Sequence, residues 1–188
     1  MDFDYYEKTD AYEKLKYDRG HMAPASDFAS SQDLMDSTFT YANTLPQHKH
    51  LNRGSWKNLE SYGRNLIRLG LCDTVEVISG PVYYSGYPKK DMPNIFQNYQ
   101  VVLMENGIVV PPKCYKIIKG NKGDKSYLAA FVLDNRRVID VNIKLKSTLV
   151  EIGDLEYMTG LRFNLGTYLP LEDLDKDGMN KTYGDLHL

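Results

Sequence analysis

An α+β fold, with a central antiparallel sheet, one long helix and shorter flanking helices, is predicted by three observations. Short segments rich in β-branched and aromatic residues recur through the second half of the chain. The stretch from Asn52 to Leu69 repeats apolar residues at helical spacing. Glycine- and proline-containing turns separate these segments. A chain of 188 residues, without repeats, low-complexity tracts or an evident linker, is read as a single domain with one sizeable core.

Residues 1–17 are rich in Tyr, Glu and Lys without a clear period, and are expected at the surface, loosely ordered. Residues 28–36 form a short helix with Ser30 or Ser31 as its N-cap. Thr38 to Ala42 alternates and reads as a strand, which Pro46 ends because proline cannot continue a ladder. From Asn52 onward Trp56, Leu59, Tyr62, Leu66 and Leu69 define the apolar face of the long helix, and Gly70 stops it. Thr74 to Ser79 is a strand running into a Gly80-Pro81 turn, with Val82 to Tyr84 as its continuation. Gln97–Leu103, Ile108–Val110, Tyr115–Ile118 and Leu128–Leu133 are further strands, with turns at Pro111-Pro112 and across Gly120 to Asp124. Val150 to Gly160 is a helix, and the tail 171–188 is expected to be loosely held.

Composition excludes several classes. No run of 18 or more apolar residues exists, which argues against a membrane span. The acidic, aromatic N-terminus has neither a secretory apolar core nor an Arg-rich transit character. The compartment is therefore cytoplasmic, or else secreted or mitochondrial if a targeting segment is missing from the sequence. Cys72 and Cys114 sit in apolar surroundings, read as half-buried core, and have no metal-ligand partner at close spacing. The net charge of −2 hides an uneven distribution. Between Ser37 and Cys72 the only acid is Glu60, against Lys49, Arg53, Lys57, Arg64 and Arg68. Such a local basic field suits a phosphate backbone.

Phosphodiester hydrolysis needs a base for water, neutralisation of charge on the phosphoryl oxygens, and alignment. His21, in Asp18-Arg19-Gly20-His21, is the side chain matched to the first task near neutral pH, and Gly20 is read as allowing a tight turn. Asn52, Trp56, Glu60 and Arg64 recur every four residues, each step turning about 40° around a helix. An amide oxygen at Asn52 and a carboxylate acting through water at Glu60 are a sufficient protein contribution to a Mg²⁺ that keeps most of its waters. Arg19 and Arg64 offer forked phosphate contacts. Asp18 is read as bracing its loop, and His48 and His50 as surface or groove residues.

The block Asp18-Arg19-Gly20-His21-Met22-Ala23-Pro24-Ala25, then Thr38-Phe39, Asn43 and Pro46-Gln47, then Asn52 and Trp56-Lys57-Asn58-Leu59-Glu60, resembles the DNA/RNA non-specific endonuclease family. Looser agreement continues through Ile78 to Pro81, Tyr115-Lys116, Ala130 to Leu133 and Leu155 to Leu161, so that the match spans about 18 to 165. The resemblance implies a ββα-metal nuclease fold and Mg²⁺-dependent cleavage of DNA and RNA, with Mn²⁺ as a substitute ion, leaving 5′-phosphate ends. By position it implies His21 as general base, Asn52 as the direct metal ligand and Glu60 as holder of metal-bound waters. Arg19 and Arg64 then contact phosphate, and Asn43 orients the base. A homodimer is common in similar proteins. One departure stands out: the family carries another arginine and a sheet strand well before this block, whereas Arg19 is the first arginine here. By the resemblance the chain is expected to be either an N-terminally shortened member or a fragment, with Lys14 or Lys16 as replacement cations. It also keeps open an alternative, a catalytically impaired nucleic-acid-binding or interaction module.

Overall fold

The computed structural model describes residues 17–83, 102–103, 107–136 and 145–175. Within these, β1 (Tyr17–His21) pairs antiparallel with β2 (Thr44–His48), placing Arg19 opposite Pro46 and His21 opposite Thr44. A separate sheet carries the core. Strands β3 (Thr74–Val82), β6 (Lys113–Lys122) and β7 (Lys125–Asp134) run antiparallel in that order, extended by β8 (Leu149–Val150). The short β9 (Leu169–Pro170) adds to β7 in parallel. Two further short strands, β4 (Val102–Leu103) and β5 (Val109–Val110), pair with each other.

The sheet is covered on both faces, which explains the nearly unbroken apolar runs of β6 and β7. Alternation sends Cys114 and Ile118, with Tyr127, Phe131 and Leu133, to one side. There they meet Trp56, Leu59, Tyr62 and Leu66 of the long-helix region. Tyr115, Ile117, Leu128, Ala130 and Val132 face the other side. They pack on Leu155 and Met158 of a short helix (Ile152–Thr159) that Gly160 ends at φ 69°.

The long helix is not continuous from Asn52. A single turn at Lys49–Leu51 leads into a π turn over Asn52–Trp56, where Gly54 has non-helical φ/ψ. Regular α-helix then runs Lys57–Arg68. Such π turns often mark functional positions, because they re-aim side chains relative to the helix that follows. Leu69, placed on the apolar face by spacing, is 44% exposed, since it follows the last helical residue.

Several local expectations are corrected. The short helix is Gln32–Ser37, capped by Ser31, preceded by a 3₁₀ turn at Ala25–Phe28. No strand forms over 38–42. Thr38 caps the helix, with its hydroxyl donating to the Met35 carbonyl, and Tyr41–Asn43 is a 3₁₀ turn. Pro46 lies inside β2 rather than ending it, and Pro81 lies inside β3; both strands are paired on one side only among the described residues, where a missing N–H is tolerated. Gly80 is no turn either: a Cβ there would lie 2.7 Å from the Tyr115 ring, so glycine serves close strand–side-chain approach. The β6–β7 turn tightens to Gly123-Asp124. Tyr17 belongs to β1, and Leu171 and Leu174, from the tail expected to be loose, are buried in the core. Both cysteines are fully buried and unpaired. The expected strand residues 84 and 97–101 lie outside the described residues, as do 1–16 and 176–188.

Candidate active site

The β1–β2 ribbon carries the Asp18-Arg19-Gly20-His21 block to the start of the long helix. Gly20 is in mid-strand, and its role is space rather than a turn: a Cβ would sit 2.0 Å from Gln47 Oε1. The buried Gln47 side chain fills the place that any larger residue would need.

His21 is held at its backbone. The Trp56 indole N–H donates to the His21 carbonyl at 3.0 Å. The imidazole bonds the Arg19 backbone carbonyl, and Nε2 is buried without a hydrogen-bond partner. The bond to Arg19 therefore belongs to Nδ1–H, which fixes the tautomer and leaves the Nε2 lone pair available. Burial pushes the imidazole below its ordinary pKa, the Arg19 bond working weakly the other way. The ring lies edge-on to Phe39 at 5.1 Å.

Asn43 does not bond the imidazole. Its amide clasps the chain that follows: Oδ1 accepts from Ala23 N–H at 2.9 Å, while Nδ2 donates to the carbonyls of Ala23 (2.8 Å) and Thr38 (2.9 Å). It fixes where the loop beyond His21 runs. Arg19 places its guanidinium over the Tyr41 ring at 5.2 Å.

Asp18 joins the ribbon to the π turn. Its Oδ2 accepts from Asn52 Nδ2 at 3.0 Å, and Arg53 forks onto both carboxylate oxygens at 2.8 and 2.9 Å. Burial alone would raise the Asp18 carboxyl, but these hydrogen bonds outweigh it and the net shift is downward. The ion-pair partner of Asp18 is Arg53. Because the Asn52 N–H side is taken by Asp18, its Oδ1 remains as the free function of that amide.

Glu60 and Arg64 lie one turn apart on the helix but do not form an ion pair. Arg64 bonds Asp27 Oδ1 (2.8 Å), Ser26 Oγ (2.9 Å) and Ser61 Oγ (3.2 Å). Glu60 is half-buried, and desolvation raises its carboxyl despite the nearby charges of Lys116 and Arg64. His48 is buried rather than at the surface: its Nδ1 accepts from His50 N–H at 3.2 Å, and its own N–H donates to Asn135 Oδ1 at 2.7 Å.

Three neighbours are given no role by a reading of motifs alone. Asp27 and Ser26, on the 3₁₀ turn after the His21 loop, are what Arg64 contacts. Lys116 is 1% exposed and places Nζ 4.1 Å from the Trp56 ring centroid. A charged residue between apolar Cys114 and Ile118, in phase with both along a strand, is the signal that could have found it.

A family model described as "DNA/RNA non-specific endonuclease" matches residues 2–169. The chain belongs to the DNA/RNA non-specific endonuclease family. Relatives include endonuclease G, mitochondrial, from Bos taurus, 36% identical over 85% of this chain and 52% of that protein. A mitochondrial nuclease of Saccharomyces cerevisiae is 37% identical, over 80% of this chain and 46% of its own length. Nuclease C1 of Cunninghamella echinulata is 36% identical, over 81% and 58%. A crystal structure of an EndoG/EndoGI complex superposes with a TM-score of 0.68 at 31% identity, covering 81% of this chain and 61% of that one. The ββα-metal nuclease fold follows from that likeness. The chain spans about half the length of the mitochondrial relatives it matches.

Proposed function

We propose that this chain is a Mg²⁺-dependent, sugar-non-specific endonuclease that hydrolyses DNA and RNA phosphodiesters to 5′-phosphate ends, with His21 as general base. The observation that carries the reading is the state of His21. Its Nδ1–H is tied to the Arg19 carbonyl, its Nε2 is buried and unpartnered, and burial favours the neutral form, which is what a base needs at neutral pH. Water loses a proton to Nε2 as it attacks phosphorus, the bond from phosphorus to the 3′ oxygen breaks, and that oxygen leaves as an alkoxide that takes a proton from solvent, with phosphate remaining on the 5′ side. Arg19 meets a non-bridging oxygen. Arg64 serves the same charge once a phosphate competes with Asp27 for its guanidinium.

The donor set fits a hard divalent cation. Asn52 keeps Oδ1 after committing its N–H to Asp18, and Glu60 is a desolvated carboxylate that a cation would stabilise. Among the described residues no three His, Cys, Asp or Glu side chains converge, so an ion held here would keep several waters, as Mg²⁺ does. When bound, the ion supplies charge neutralisation at the phosphoryl and leaving oxygens. The family match and the nuclease names of the relatives support the substrate class. The mitochondrial names of relatives support the mitochondrial option for compartment.

The test is a digest of circular and linear DNA and of RNA, with Mg²⁺ and with excess EDTA. Nicking of circular DNA and cleavage of RNA, both abolished by EDTA, is the expected result. Cleavage that survives EDTA would remove the metal from the mechanism. Binding without cleavage under all conditions would favour the nucleic-acid-binding module instead.

A further inference from the structure

Lys116 occupies a place where the strand pattern calls for an apolar side chain. It lies on β6 in phase with Cys114 and Ile118, on the face covered by the long helix, and is 1% exposed. Among the described residues no carboxylate lies within ion-pair distance of it. Desolvation lowers its pKa to about 8, with Glu60 and Asp27 opposing that shift from farther away. An ammonium is costly to bury, and a methionine would fill the same space without that cost.

What the ammonium touches accounts for it. Nζ donates to Ser79 Oγ at 3.0 Å, across the β3–β6 register that sets Ser79 opposite Lys116. It also lies 4.1 Å from the centroid of the Trp56 ring, an attraction that strengthens away from water. Trp56 is 0% exposed, and its one polar atom donates to the His21 carbonyl at 3.0 Å. An unbroken series of contacts therefore runs from the central sheet to the backbone of His21: Ser79, Lys116, Trp56, His21.

We propose that Lys116 is a positioning residue for His21, its ammonium clamped by Ser79 and fixing the Trp56 indole, whose N–H holds the His21 carbonyl in place. This rests on the reading of His21 as the base, but the clamp itself is observable without turnover. Trp56 is the sole tryptophan of the chain, so it gives a single indole N–H resonance.

The experiment compares the 188-residue wild type, Lys116→Met, Lys116→Arg, Trp56→Phe and the Lys116→Met/Trp56→Phe double variant. Each is checked by thermal melting, then read by nuclease kinetics and, where Trp56 remains, by the indole signal. Lys116→Met should lower kcat by about tenfold or more with KM within about twofold, the split expected when geometry rather than binding is lost. Its indole resonance should shift and exchange faster with solvent. Lys116→Arg, which keeps a cation on the ring, should recover most of both. Trp56→Phe should also lower kcat, and the double variant should fall little further, because both changes cut one path. Additive losses, or an unchanged indole signal in a folded Lys116→Met, would overturn the proposal. If Lys116→Met does not fold, Ser79→Ala removes one jaw of the clamp and is read in the same way. A wild type without nuclease activity would sink the functional reading alone, and the indole signal would still decide the clamp.

Discussion

Gly20→Ala isolates one feature of the site in a single methyl group. The added Cβ would lie 2.0 Å from Gln47 Oε1, 2.4 Å from Cδ and 2.6 Å from Cγ. Ordinary contact begins near 3.5 Å, so the Gln47 tip must retreat by about 1.5 Å. It is 0% exposed and has no solvent to retreat into. Overpacking of this kind costs about 1–3 kcal/mol, and the entropy that alanine removes from the unfolded chain returns about 0.4–1 kcal/mol. The two ranges combine to a net loss of roughly 0–2.6 kcal/mol, measured as a lower urea midpoint at unchanged m-value. Because Gly20 sits between Arg19 and His21, the same shift should also lower kcat. Gln47→Ala opens the space that the new methyl needs, so the double variant should be more stable than the two single losses predict. A stabilised Gly20→Ala, or strictly additive losses in the double variant, would refute the packing argument and return Gly20 to the role of a flexible turn.

Burial lowers the His21 pKa, so the base stays neutral to more acidic pH than a free imidazole. The acid limb of kcat/KM, measured across pH at saturating Mg²⁺, should lie below about 6.5, and a limb above that value would contradict the burial argument. Asn43→Ala deletes three side-chain hydrogen bonds and should cost about 2–3 kcal/mol in denaturant unfolding, with a fall in kcat and little change in metal affinity. Asp18→Ala frees the Asn52 amide and should raise the Mg²⁺ concentration for half-maximal activity by about tenfold or more. Arg53→Ala, removing a side chain that is 67% exposed, should change stability by less than about 1 kcal/mol in the same unfolding assay.

Much of the fold is legible because patterning and packing agree. The period of Trp56, Leu59, Tyr62 and Leu66 survives in the structure as the buried face of the helix. The apolar runs of β6 and β7 survive as strands sandwiched between two layers. Gly160 reads as a helix stop and adopts the left-handed conformation that makes it one. Where the local reading fails, a tertiary partner overrides it. Thr38 to Ala42 has strand propensity, but the Thr38 hydroxyl and the Asn43 amide bind the backbone in turns. Pro46 and Pro81 look like strand ends, yet neither strand is paired on its second side among the described residues.

The candidate site shows the same division. Residue types suggest roles for His21, Asn52 and Glu60, and the order and spacing that single them out are those of the family the chain resembles. Spacing cannot say which cation pairs with which anion. Asp18 takes Arg53 and Asn52, and Arg64 takes Asp27, because the ribbon and the 3₁₀ turn fold onto the helix from far away in sequence. The π turn at Asn52–Trp56 likewise has no periodic signature: Gly54 is its local trace, and the apolar spacing runs through it unbroken.

The most direct test of the account is the rate of plasmid nicking by His21→Ala beside wild type, with Mg²⁺ binding followed by calorimetry on both. Loss of the base should reduce kcat/KM by about 10²–10⁴-fold while Mg²⁺ affinity stays near that of wild type. Nicking by His21→Ala within about tenfold of wild type would contradict the assignment of the base, and with it the reading of the site.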